Sequence, residues 1–343
     1  MKEILNTLYV QTQGTYLQLD HETLKVKVEE VTKQVPLHHL GAIVAFGNVL
    51  FSPFLIHKCA AEGRAIVWLS QSGRFQGRLA GPTTGNVLLR RAQHAALTDV
   101  EKTLNIARYV VAGKLQNARS VLMRAAREAK VAGDEEWLRS AAQAHADGIE
   151  NAQKATDIDK LRGIEGYAAK AYFGAFGGMI RTNREGFDFV GRSKRPPKDA
   201  INALLSFAYT LLANECIAAC EGVGLDPQMG FSHVLRPGRP SLALDLMEEL
   251  RSVVADRLVL NLVNRGQVKP EDFEVRPGGG VLMQEETRKE FLVAYQKRKQ
   301  EEVMHPIVGA KVPLGLLCHV QARLLARHLR GDLDCYAPFI LRG

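Results

Sequence analysis

Four familiar signatures are missing from this sequence. It has no Gly-x-x-x-x-Gly-Lys-Ser/Thr loop, no strand-linked Gly-x-Gly-x-x-Gly, no His-Glu-x-x-His and no Gly-x-Ser-x-Gly. Nucleotide hydrolysis and hydride transfer thereby lose their usual grounds. The five cysteines (Cys59, Cys216, Cys220, Cys318, Cys335) are an odd set without paired spacing, which excludes a disulfide framework and fits a reducing, cytoplasmic compartment. The opening MKEILNTLYVQTQG has no apolar core of a secretory signal, and no uninterrupted apolar run approaches a membrane span. Charged residues at 24% and aromatics at 7% exclude a disordered acidic chain or a collagen-like repeat. No internal repeat or low-complexity tract interrupts the 343 residues.

What is present is a basic surplus, 45 Lys+Arg against 37 Asp+Glu for a formal charge of +8, which favours an anionic partner. The chain is long enough for about two domains of ~150 residues each. Strand-like alternation over Leu8–Val10, Tyr16–Leu19, Leu24–Val28, Ala42–Phe46, Ala65–Leu69 and Phe75–Leu79 predicts a small β-rich domain. One helix interrupts it, capped by Ser52, opened by Pro53 and ended by Gly63. After Gly81-Pro82 the period changes to that of helices. The expected fold is α+β: residues 1–85 β-rich, residues 86–343 a larger, mostly helical domain.

Within the second part, Thr98-Asp99-Val100-Glu101 has the form of a capping box for a long helix toward Ala129. Further helices are expected at Glu135–Lys154, Asp157–Ile180, Asp199–Glu221, Ser241–Asn264, Glu285–Glu302 and Pro313–Leu329, with a hairpin at Phe273–Met283. The stretch from Arg181 to Lys198 has no helical stripe. It carries six bases (Arg181, Arg184, Arg192, Lys194, Arg195, Lys198) against Glu185 and Asp188, so six minus two gives +4, half the surplus of the whole chain. Such a run suits phosphate, and equally a solvated loop.

Acids and histidines stand in unusual places. Glu165 lies in an apolar helical stretch between Gly163 and Gly166, where each Gly costs up to ~1 kcal/mol relative to Ala, so close approach of another group is a reasonable cause. His233 lies in the turn Gly230-Phe231-Ser232-His233. Asp245 and Glu248, three apart, share a helix face. Together these give an oxygen and nitrogen donor set suited to Mn2+ or Mg2+. A solvated acidic face and a packed histidine are the competing readings of the same spacing.

Four segments in order are more specific. Glu165-Gly166-Tyr167-Ala168-Ala169-Lys170-Ala171-Tyr172-Phe173, Arg195-Pro196-Pro197 through Leu212, Gly224-Leu225-Asp226-Pro227 through His233, and Arg239-Pro240-Ser241 through Arg251 closely resemble the CRISPR-associated spacer-acquisition integrase and endonuclease, the Cas-one family. In wording and length the chain looks most like its type I-C branch. The resemblance implies an N-terminal β domain that forms a homodimer and a helical domain holding one divalent metal, Mg2+ or Mn2+. By position the ligands would be Glu165, His233 and Glu248, with Asp245 as a nearby acid some members also need; Glu248 is preferred over the adjacent Glu249 because it shares a face with Asp245.

The implied activity joins the 3′-hydroxyl ends of short duplex DNA into a CRISPR repeat by transesterification, with endonuclease activity when water replaces the hydroxyl. The implied partners are double-stranded DNA and a small Cas-two protein, in a heterohexamer of two integrase dimers and one partner dimer. A DNA-binding scaffold without catalysis would not need the acids. A phosphoesterase for small phosphate esters would not need the basic loop.

Overall fold

The computed structural model describes residues 6–81 and 87–341. The expected boundary after Gly81-Pro82 runs into residues 82–86, outside that set. Two compact units form, one of Met1–Thr84 with Arg288–Gln300 and one of Gly85–Thr287 with Glu301–Gly343. A distant helical segment therefore belongs with the β-rich unit, where the sequence division had placed it in the helical part.

The first unit contains two four-stranded sheets. One has the order β1 (Thr7–Val10), β5 (Ala42–Phe46), β7 (Ala65–Leu69) and β8 (Phe75–Arg78), parallel except for the last pair. The other runs β4 (Val31–Pro36), β3 (Thr23–Val28), β2 (Tyr16–Asp20) and β6 (Leu50–Phe51). Strands β4 and β6 add to the six anticipated. β4 is an exposed edge reading Val-Thr-Lys-Gln-Val-Pro, and an edge strand with Lys and Pro need not alternate. Helix α1 (Pro53–Ala61) begins as anticipated, because the Ser52 side chain accepts from the Leu55 N–H, a cap of about 1 kcal/mol. Leu17, Leu24, Leu55 and Ile66 anchor the core, each contributing about 1.5–3 kcal/mol on burial.

The second unit opens with α2 (Val87–Thr98) and the 28-residue α3 (Val100–Arg127). Asp99, rather than Thr98, caps α3 by accepting from the Lys102 N–H; the Thr98 hydroxyl is turned back to the Ala95 carbonyl. α3 packs on α4 (Asp134–Lys154), α5 (Ile158–Ala175) and α8 (Ser241–Leu250). The basic stretch contains one short helix, α6 (Arg184–Phe187). α7 (Ala200–Val223), capped by Asp199, packs on α8 and α11 (Leu317–Leu329). By length and composition α7 is apolar enough to cross a bilayer, yet it is largely buried within this unit.

Several anticipated helices are shorter or divided. The 157–180 segment ends its α-helix at Ala175 and closes in a 3-10 turn. The 241–264 segment is α8, a π-helical stretch over Arg251–Asp256, and α9 (Arg257–Asn264). Such wide turns re-aim side chains and gather at functional sites. The anticipated hairpin is β9 (Phe273–Val275) with β10 (Val281–Met283). α10 (Glu285–Gln300) stops two residues early, and β11 (Glu302–Met304) pairs with β12 (Lys311–Pro313) before α11. Residues 288–300 of α10 are those that join the first unit, where Arg288 Nε donates to Gln11 Oε1 at 2.9 Å and Lys299 Nζ to Thr7 Oγ1 at 3.3 Å.

Candidate functional site

A cavity of about 670 Å³ in the helical unit is lined by residues of α3, α4, α5, the basic stretch, the His233 turn, α8 and the π-helical segment. Glu165, His233 and Glu248 all face it. Each is placed by a different local device.

The turn carrying His233 lies against the start of α8. A Cβ on Gly230 would stand 2.5 Å from the Ser241 backbone, so only glycine permits this approach. The fully buried Asp245 then accepts from the Phe231 N–H at 2.6 Å, the Ser232 N–H at 3.0 Å and the His233 N–H at 3.0 Å. Its Oδ1 is also 2.7 Å from His233 Nδ1. With Nδ1 donating to this carboxylate, Nε2 carries the lone pair and faces Glu248 Oε1 at 4.0 Å. Arg162 of α5 donates from Nε and Nη2 to the Ser232 carbonyl at 3.0 and 2.8 Å, which ties the helix of Glu165 to the same turn. From the far side, Gln93 Nε2 donates to the carbonyls of Asp226 and Met229, both at 2.9 Å.

Asp245 and Glu248 were expected to share a face. The structure separates their tasks: Asp245 does not line the cavity and stands behind His233, while Glu248 lines it. Asp245 is a positioning residue. The preference for Glu248 over Glu249 has a geometric ground, because Glu249 is fully buried and accepts from Tyr336, Gln321 and the Phe339 N–H. The glycines beside Glu165 have a different meaning from the one anticipated. Among the described residues, a Cβ at Gly163 or Gly166 would meet no atom of another element within 4 Å, so that helix surface is open.

Two cations compensate Glu248. Arg251 Nη1 donates to Oε1 and Oε2 at 2.7 and 2.9 Å, and Lys114 Nζ reaches Oε2 at 2.7 Å. Lys114 also donates to Glu165 Oε1. Burial alone would raise the Glu248 carboxyl, but Arg251 and then Lys114 outweigh it and hold the group well below the carboxylate range. Burial opposes charge on Lys114, and Glu248 and Glu165 overcome it, raising the ammonium. Among the described residues no group of three or more His, Cys, Asp or Glu stands arranged to hold a metal ion. The Lys114 ammonium pairs with both carboxylates, Glu165 and Glu248.

By donor chemistry alone, two carboxylates and an imidazole are of the kind that suits a divalent ion. Both carboxylates already share one cation, and two ligands at ~2.0–2.3 Å from one ion can stand about 4 Å apart, the separation of His233 Nε2 from Glu248 Oε1. Behind Arg251, the buried Asp256 accepts from Tyr172 and Tyr209 at 2.8 and 2.6 Å, and the Arg251 guanidinium lies 4.3 Å from the Tyr209 ring centroid.

The six bases of the Arg181–Lys198 stretch do not act as one set. Arg181 pairs with Glu128 at 2.7 Å and Arg184 with Asp134 at 2.8 Å. Arg192 donates to Asn202 Oδ1 at 2.7 Å and Ser206 Oγ at 3.1 Å. These three also secure the loop to the helices, a structural task that charge counting does not show. Lys194, Arg195 and Lys198 remain exposed, and Lys194 lines the cavity. Burial, Arg251 and Arg192 lower the Lys194 ammonium. Lys114, Lys170, Arg192, Lys194 and Arg251 give the cavity five cations against three carboxylates, Glu165, Glu248 and Asp256, a balance suited to a polyanion.

The sequence reading assigned no role to Lys114, Arg251 or Asp256. Lys114 had a signal: it interrupts an otherwise small and apolar stripe of Ala107, Val111, Ala118 and Leu122.

Known proteins resemble this chain in sequence and in fold. The family profile described as "CRISPR associated protein Cas1" matches residues 8–297. A protein of Moorella thermoacetica named CRISPR-associated endonuclease Cas1 1 is 54% identical over 343 residues, covering 100% of both chains. Among solved structures, a Cas1 protein from Thermotoga maritima matches with TM-score 0.82 and 25% identity over 95% of this chain and 97% of that one. A chain of a Cas6-RT-Cas1–Cas2 complex matches with TM-score 0.84 and 21% identity, over 100% of this chain and 37% of that one.

Proposed function

The chain belongs to the CRISPR-associated Cas1 family, and from that premise we propose that it is the metal-dependent DNA integrase and endonuclease of CRISPR adaptation, joining 3′-hydroxyl ends of short duplexes into the repeat array. The observation that carries this reading is the meeting of Glu165, His233 and Glu248, from three separate segments, in one cation-rich cavity. The finer assignment, to the type I-C branch, rests on the wording of the four motifs. We further propose a cytoplasmic homodimer formed through the β-rich unit, with a small Cas2 partner in a heterohexamer.

Glu165, Glu248 and the Nε2 of His233 would hold one Mg2+ or Mn2+. When bound, the ion supplies Lewis-acid stabilisation of the phosphoryl oxygen and of the departing 3′-oxygen. Asp245 keeps the imidazole in the tautomer that presents Nε2. Arg251 holds the Glu248 carboxylate from behind. Lys194, with Arg195 and Lys198, receives phosphates of the duplex without reading bases. In the exchange a new O3′–P bond forms as the repeat's P–O3′ bond breaks. The incoming hydroxyl's proton passes to water, and a proton from water completes the displaced hydroxyl. The number of phosphodiesters is unchanged, so no nucleotide triphosphate is consumed.

Incubating the protein with its Cas2 partner, a labelled duplex and a repeat-bearing plasmid should give joined product with Mg2+ or Mn2+ and none with a chelator. Joining that persists in excess chelator would refute the metal-dependent reading. Lys194, Arg195 and Lys198 are exposed bases of the loop. The triple change Lys194→Ala, Arg195→Ala, Lys198→Ala should weaken binding to duplexes of unrelated sequence by similar factors, and should reduce the salt slope by about 1 for each phosphate no longer neutralised. An unaltered slope would place the phosphate-binding cations elsewhere.

A further inference from the structure

Lys114 is in an unusual place for a lysine. Its side chain rises from the inner stripe of α3 and is 16% exposed, and its ammonium contacts carboxylates that are 20% and 7% exposed. The partners are not equivalent. Glu248 also has Arg251 on both of its oxygens, whereas Lys114 is the one ion-pair partner recorded for Glu165 among the described residues. Lys114 thus joins α3 to α5 and α8 through a point where two acids converge.

Resting on the proposed metal site, we propose that Lys114 is a tethered counter-ion: its ammonium holds Glu165 and Glu248 together in the metal-free protein and must leave that position for the divalent ion to enter. Two carboxylates this close repel unless a cation stands between them. Without either cation Glu165 would turn outward, and the site would have to be reassembled at each binding event. The ammonium keeps the pair assembled while competing with the incoming ion, because a unit positive charge and a divalent ion cannot occupy the same few ångströms. A lysine suits this exchange, since its four-carbon stem lets the charge swing while its base stays fixed in the helix. The displaced ammonium remains within the cavity, where the phosphate of a bound duplex is a new partner. Lys114 is therefore a positioning residue before metal binding and an anion contact after it.

The test is made on the full-length protein without DNA. Free Mn2+, followed by electron paramagnetic resonance, should show Lys114→Gln binding the ion about tenfold more tightly than wild type, a change of ~1.4 kcal/mol. In chelator the same variant should melt below wild type, and saturating Mn2+ should remove that deficit. Equal or weaker Mn2+ affinity in folded Lys114→Gln overturns the counter-ion role. Mn2+ binding in wild type that is unchanged by Glu165→Gln instead overturns the metal-site reading and the proposal with it.

A measurement on wild type alone guards against misfolding of the variant. Saturating Mn2+ should increase acylation of the Lys114 amine by a succinimidyl ester several-fold, read by peptide mass spectrometry. Unchanged labelling would show that the ammonium stays in place and would overturn the proposal.

Discussion

His233→Ala protein is expected to join and nick DNA at least ~10³-fold more slowly than wild type while binding duplex DNA within about twofold. The imidazole is the one neutral donor in a set otherwise made of carboxylates, and its Nε2 is aimed toward Glu248 by the Nδ1 contact to Asp245. On the proposed metal site, removing it would withdraw a ligand from an ion whose charge stabilisation is worth several kcal/mol in the transition state. On the same proposal, ground-state binding of the duplex would rest on exposed lysines and arginines that the change does not touch. Asp245→Asn should be milder, about 10–100-fold, because it disturbs the orientation of a ligand rather than deleting one. Undiminished strand transfer by His233→Ala, with an unchanged melting temperature, would remove His233 from the chemistry.

The second large effect concerns stability and acidity. Glu249 is fully buried, and burial pushes its carboxyl up from 4.5 to about 8 despite three donors around it. Between pH 4.5 and about 8 the folded chain keeps a proton that the unfolded chain has released. The native state binds more protons there, so stability is greatest below pH 4.5 and is lost as pH rises through about 8. Each tenfold difference in proton affinity between the folded and unfolded chain is worth ~1.4 kcal/mol, so the loss is of the order of a few kcal/mol. Glu249→Gln mimics the protonated acid, its amide oxygen accepting from Gln321 and the Phe339 N–H and its amide donating to Tyr336. Urea midpoints from pH 5 to 8 should therefore fall less steeply in the variant than in wild type. Parallel curves would show that Glu249 is already ionised across this range.

The sequence made most of the helices and the six apolar strands legible, because burial on one face leaves a period. Ser52, Asp99, Asp157 and Asp199 each cap a helix whose start falls within a residue or two of the reading. β4 was hidden because an exposed edge needs no alternation. The division of residues 241–264 by a π-helical segment was hidden because the apolar residues continue through it.

At the site, the four motifs singled out Glu165, His233 and Glu248, and these three line one cavity. Spacing put Asp245 and Glu248 on one face; it did not reveal that His233 stands between them, with Nδ1 to one and Nε2 to the other. Nor did charge counting show that Arg181, Arg184 and Arg192 are held by Glu128, Asp134 and Asn202. Ion pairing across long sequence separations leaves no local mark.

The return of residues 288–300 to the β-rich unit bears on the order in which the protein is made. A ribosome releases the β strands first, yet the unit they belong to is incomplete until residue 300 has emerged. Some two hundred residues of helical chain are synthesised during that interval. Domains generally fold as they leave the ribosome, N-terminal first, and here the N-terminal one must wait with its Gln11 and Thr7 partners still unmade. Its strands, several with exposed edges, spend that time as the most association-prone part of the nascent chain.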